Sequence, residues 1–92
     1  MQFFWAPNAS NDGTWFINYI DDELAEKVEA RFFPTPDAYF EPERGYNGDE
    51  YRFLNEEGNL FCLYSRWGAW RLGGRGLTPG DVGDFVNWMK AL

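Results

Sequence analysis

The sequence predicts an α+β fold: a mainly antiparallel sheet of about five strands with two helices packed on one face, in the order ββαβββα. Three observations predict it. Residues 49–74, DEYRFLNEEGNLFCLYSRWGAWRLGG, are short aromatic and aliphatic runs cut by Asn and Gly, the punctuation of an antiparallel meander. Leu24, Val28 and Phe32 recur at helical spacing behind Asp21 and Asp22. Thr78, Pro79 and Asp81 carry the start signals of a second helix.

The chain opens with the apolar run Phe3-Phe4-Trp5, ended by Pro7, and residues 14–20, TWFINYI, alternate Trp15, Ile17 and Tyr19 against Phe16, Asn18 and Ile20. The turn-forming residues 8–13 between them point to an N-terminal hairpin with a long loop. Asn8, Ser10, Asp12 and Gly13 resemble the opening of a calcium-binding EF-hand loop, but Tyr19 stands where its bidentate Glu belongs, so no metal is expected. Asn8-Ala9-Ser10 spells a glycosylation acceptor and, with no secretion signal ahead of it, is read as part of the turn.

In the first helix either Asp21 or Asp22 serves as cap, and Pro34 is the expected stop. Its other face carries Glu23, Glu26, Lys27, Glu29 and Arg31, with Glu23 and Lys27 spaced for a weak i,i+4 pair. Residues 34–48, PTPDAYFEPERGYNG, are broken by three prolines and two glycines and read as an irregular connection. Tyr39, Phe40 and Tyr46 are too aromatic for a passive linker, and tyrosines beside Asp, Glu, Asn and Gly have the composition of a recognition loop.

In the meander, Gly58 suits the left-handed position of the first turn. Its middle strand puts Leu60, Cys62 and Tyr64 on one face and Phe61, Leu63 and Ser65 on the other. With both faces apolar, the strand is either central and covered twice or offers one face to a partner. Residues 73–76 read as a glycine-rich connector to the last helix, whose stripe is Val82, Phe85, Val86 and Met89, with Trp88 at its partly exposed margin.

Composition bears on function mainly by exclusion. At 92 residues the chain makes one domain with a small core; aromatics at 21% exceed what that core needs and leave rings for the surface. Without histidine, Ser/His and Cys/His nucleophile pairs and the common zinc sites are absent, so the chain reads as a non-enzyme with no cofactor. Cys62 has no partner for an intramolecular disulfide, and no apolar run approaches the length of a membrane span, so a cytoplasmic protein is expected.

Charge is segregated along the chain. Residues 1–57 hold thirteen acids and four bases, net −9, whereas residues 58–92 hold two acids and four bases, net +2. Nucleic acid and anionic membrane are poor direct partners for the acidic half, and a basic protein surface, such as that of a nucleic-acid-binding protein, is a better one. The sequence therefore points to a small acidic inhibitor, immunity or antidefence type of protein-binding module. Its expected contacts are Tyr39, Phe40, Glu41, Glu43, Tyr46, Asp49 and Glu50, helped by Glu23 and Glu26. The alternative surface is Arg66, Trp67, Trp70, Arg71 and Arg75, where Trp67, Trp70 and Tyr64 would form a stacking platform for a small molecule or saccharide; a homodimer using its apolar sheet face is the third arrangement.

Overall fold

The computed structural model describes residues 2–34 and 46–92, with the side chains of 46–49 excepted. Among the described residues seven elements follow in order: β1 (Phe3–Trp5), β2 (Trp15–Tyr19), α1 (Asp22–Glu29), β3 (Tyr46–Asn55), β4 (Leu60–Arg66), β5 (Ala69–Arg75) and α2 (Pro79–Lys90). All strand pairs are antiparallel, and the spatial order is β1-β3-β4-β5-β2. The fold class and element order are those expected, and β3 to β5 form the expected meander.

The N-terminal hairpin is not formed. β1 pairs with β3 and β2 with β5, so the first two strands lie at opposite edges of the sheet. The turn chemistry of residues 6–14 serves a crossing strap instead. Ala6 N–H donates to the Arg52 carbonyl at 2.8 Å, Arg52 Nη1 donates to the Ala9 carbonyl at 2.6 Å, and Arg75 Nη1 donates to the carbonyls of Ser10 at 3.1 Å and Asp12 at 2.8 Å. Two arginines far along the chain thus satisfy loop carbonyls that a two-stranded ladder would otherwise have to accommodate. The carbonyls of the EF-hand-like stretch are turned onto a guanidinium.

The strap covers one face of the sheet and the helices cover the other, which explains the apolar character of both sides of β4. Phe53, Phe61, Leu63 and Leu72 pack on the helix side with Phe3, Val28, Phe85 and Met89. Phe61 stacks on Phe85 with centroids 5.1 Å apart, and Phe32 meets Phe53 edge-on at 5.0 Å. Leu60 and Cys62 are equally buried on the strap side. Beside them Arg52 and Glu50, only 4% and 3% exposed, form an ion pair with Nε to Oε2 at 2.6 Å. Burial pushes the Cys62 thiol up to about 12, with the Glu50 carboxylate acting in the same direction.

Both helices pack on one face and touch each other, Lys27 Nζ donating to the Lys90 carbonyl at 2.8 Å. α1 ends at Glu29, five residues before Pro34: Ala30 caps it, and Phe32 turns inward against Phe53 and Trp88. Phe32 N–H still donates to the Val28 carbonyl at 2.9 Å, so helical hydrogen bonding runs to within two residues of Pro34, the expected stop. Asp21 is its N-cap residue but makes no side-chain capping bond. α2 has the full capping box: Thr78 Oγ1 accepts from Asp81 N–H at 3.1 Å, and Asp81 Oδ2 accepts from Thr78 N–H at 2.9 Å. The glycine-rich connector is mostly strand, since Gly73 and Gly74 belong to β5. A Cβ on Gly74 would lie 2.7 Å from the Leu60 carbonyl oxygen and against the Leu77 side chain, so close backbone approach accounts for that glycine.

Candidate binding surface

The part of the strap-side face that the strap leaves open is an arginine ringed by aromatics. Strand β2 contributes two of the rings through a β-bulge. Phe16 pairs with Gly73 and Tyr19 with Arg71, but the register shifts between Phe16 and Asn18. In an unbroken strand, residues three apart point to opposite faces; the extra residue returns Tyr19 to the face of Phe16. Their rings consequently meet edge-on, with centroids 5.1 Å apart. At Gly73, opposite Phe16, a Cβ would lie 3.1 Å from the Trp15 carbonyl oxygen and 3.2 Å from the Tyr64 ring, so the glycine lets β2 and Tyr64 approach β5 closely.

Arg71, on the neighbouring strand, sits among the rings. Its guanidinium carbon is 4.8 Å from the Tyr19 ring centroid, 5.4 Å from Phe16 and 5.8 Å from Trp67, all within cation–π range. Arg71 Nε also donates to the Arg66 carbonyl at 3.4 Å, which ties the side chain to the end of β4.

Trp67 enters from the two-residue turn that joins β4 to β5. Arg66 pairs with Ala69, and the residues between them, Trp67 and Gly68, both have positive φ, 51° and 73°. That combination marks a type I′ turn, whose first central position favours Asn, Asp or Gly. Tryptophan there costs about 1–2 kcal/mol of left-handed backbone strain. In return the ring projects from the tip of the hairpin, with the Arg66 guanidinium 4.4 Å from its centroid. Phe16, Tyr19 and Trp67 remain 48%, 64% and 63% exposed.

The charge segregation of the sequence becomes an asymmetry between layers. Arg52, Arg66, Arg71 and Arg75 occupy strand positions on the strap side, opposite Cys62, Ala69, Tyr64 and Leu60. The acids of both helices belong to the other layer. Burial raises the Tyr64 phenol pKa while the charges of Arg71 and Arg66 pull it down, so both guanidinium groups act on one ring at the edge of the platform.

The structure divides the residues singled out from sequence. Tyr39, Phe40, Glu41 and Glu43 lie outside the described residues. Tyr46 belongs to β3, where an irregular connection was expected, and Asp49 lies in the same strand; Tyr46 pairs with Arg66, so the ladder begins within the proline-rich stretch's last residues. Glu50 is no exposed contact, being buried in its pair with Arg52. Glu23 and Glu26 are exposed on α1. On the alternative surface, Arg66, Trp67 and Arg71 come together, with Tyr64 beside them. Trp70 lies on the helix face near Tyr51, and Arg75 is engaged by the strap. Strict alternation along TWFINYI separated Phe16 from Tyr19, and a bulge has no reliable sequence mark; the one hint was a bulky residue at nearly every position of that run.

Among the described residues no group of three or more His, Cys, Asp or Glu gathers, and no helix is long and apolar enough to cross a membrane. No family model, curated protein or solved structure matches this chain.

Proposed function

We propose that this chain is a protein-binding module that modulates a partner by occupying its surface, in the manner of an inhibitor or immunity protein, with Phe16, Tyr19, Trp67 and Arg71 as its principal contact. The observation that carries this reading is the set of three exposed rings around one guanidinium, assembled by a bulge and a positive-φ tryptophan. Bulges and strained backbone cluster where side chains are aimed for a purpose, because folding alone gains nothing from them. Trp, Tyr and Arg are also the residue types that dominate binding energy at protein interfaces. Arginines on this face favour an acidic or carbonyl-rich matching surface, so the contact moves from the acidic residues, where the sequence directed it, to the arginine-bearing face of the sheet. A saccharide platform is less well served: its third ring, Trp70, faces the helices, and an arginine occupies the centre of the others.

The test compares lysate proteins retained by the immobilised wild-type chain with those retained by Arg71→Glu and by Glu23→Lys combined with Glu26→Lys. A protein held by the wild type and by the double variant, and lost on Arg71→Glu, is the expected result. Loss on the double variant alone would move the contact to α1. Equal retention by all three would remove both surfaces.

A further inference from the structure

We infer that β2 is a receptor edge for an extended acidic segment of the partner, which adds to the sheet as a sixth strand beside β2. This rests on the protein-binding reading above and supplies its mode and its ligand chemistry. Among the described residues β2 is an edge, with β5 on one side and no strand on the other. Edge strands are ordinarily protected by charge, proline or shortness, since their outward N–H and C=O groups invite pairing. β2 reads Trp-Phe-Ile-Asn-Tyr, without a charge or a proline, and its bulge is the only such device it carries.

Chemistry on the two sides of this edge differs, as a strand's alternating side chains would require. On the strap side stand Arg71 and the rings of Phe16 and Tyr19, a place for carboxylates. On the helix side Ile17, Asn18, Leu77, Thr78, Pro79 and Val82 line a mainly apolar groove of about 310 Å³, large enough for aliphatic side chains. Beside this groove the Thr78 and Asp81 amides are taken by the α2 capping box, and the Asp81 carboxylate in the first turn opposes a competing anion there. A segment alternating acidic and aliphatic residues matches both sides at once. Charge complementarity to Arg71 selects that segment over a basic one, and over a second copy of β2, which brings no acid within Trp15–Tyr19.

The probes are fluorescein-labelled peptides of about six residues, a usual strand length, alternating Glu with Val, Lys with Val, or Glu with Ser. We expect saturable binding of the Glu/Val peptide, and losses of about tenfold or more for each of the other two and for Arg71→Met, the worth of one charge-assisted contact. Amide exchange of the β2 residues should slow in the complex. Binding without protection of β2 amides would overturn strand addition while leaving the aromatic–arginine platform as the contact. No binding of the Glu/Val peptide to a folded wild type that still retains an Arg71-dependent lysate protein would overturn the peptide chemistry but not the protein-binding reading. Protection of β2 amides that rises with protein concentration in the absence of peptide would assign the edge to a second copy and overturn the inference.

Discussion

Replacing Trp67 by glycine should leave a more stable protein than replacing it by alanine, the reverse of the usual order. Both substitutions delete the same ring, so the lost stacking under Arg66 at 4.4 Å and the modest burial of an exposed side chain cancel in the comparison. What remains is the backbone. At φ 51° alanine retains most of the left-handed penalty of about 1–2 kcal/mol, and glycine relieves it. Glycine also gains unfolded-state freedom, which costs the fold about 0.4–1 kcal/mol. The net expectation is a glycine variant more stable by about 1 kcal/mol, or roughly 4–8 °C in melting temperature for a domain of this size. Urea unfolding of the two variants, with equal m-values to certify a common reference, measures the difference directly. An alanine variant as stable as the glycine variant, or more so, would mean that the hairpin tip is not strained, and would remove the reason for reading Trp67 as placed there for contact.

Other outcomes follow from the covered parts of the fold. Thr78→Ala should cost about 0.5–2 kcal/mol, read as a lower urea midpoint, because it removes one half of the α2 capping box. Arg52→Ala should cost about 3–5 kcal/mol, since it strips the buried Glu50 of its ion-pair partner and frees the Ala9 carbonyl of the strap; a loss under 1 kcal/mol, the range of an exposed pair, would contradict the burial of that pair. Cys62 should label slowly with a thiol reagent in the native state and quickly on unfolding. Its folded pKa of about 12 lies above the ordinary 9.0, so above pH 9 the unfolded chain gives up a proton that the folded chain keeps. Stability should therefore fall as pH rises from 9 towards 12, with a slope shallower in Cys62→Ala by up to about 1.4 kcal/mol per pH unit.

Local signals in the sequence were sufficient where local physics decides the structure. Thr78, Pro79 and Asp81 announce α2 because the capping box closes within four residues, and the turn at Gly58 is set by the Asn55 side chain, whose Oδ1 accepts from the N–H groups of Glu57 and Asn59. The doubly apolar β4 left two arrangements open, a central strand covered on both faces or one face offered to a partner, and it is the central one. Long-range contacts were not legible. Nothing near residues 6–14 shows that Arg52 and Arg75 will hold them across the sheet, so a strap was read as a hairpin. The binding surface was half visible for the same reason: Arg66, Trp67 and Arg71 are close in sequence around one turn, whereas Phe16 and Tyr19 reach them only through the β2–β5 pairing and a bulge that inverts the apparent alternation.

The central claim is that this bulge places Phe16 and Tyr19 on one face of the sheet, around Arg71. Proton NMR of the native chain measures it through nuclear Overhauser contacts. Cross-peaks between the Phe16 and Tyr19 rings, and from both rings to the Arg71 side chain, are the expected result, given centroids 5.1 Å apart and a guanidinium 4.8 Å from Tyr19. Contacts from Phe16 to Leu77 or Val82 on the helix side, with none to Tyr19, would restore simple alternation along β2 and contradict the platform.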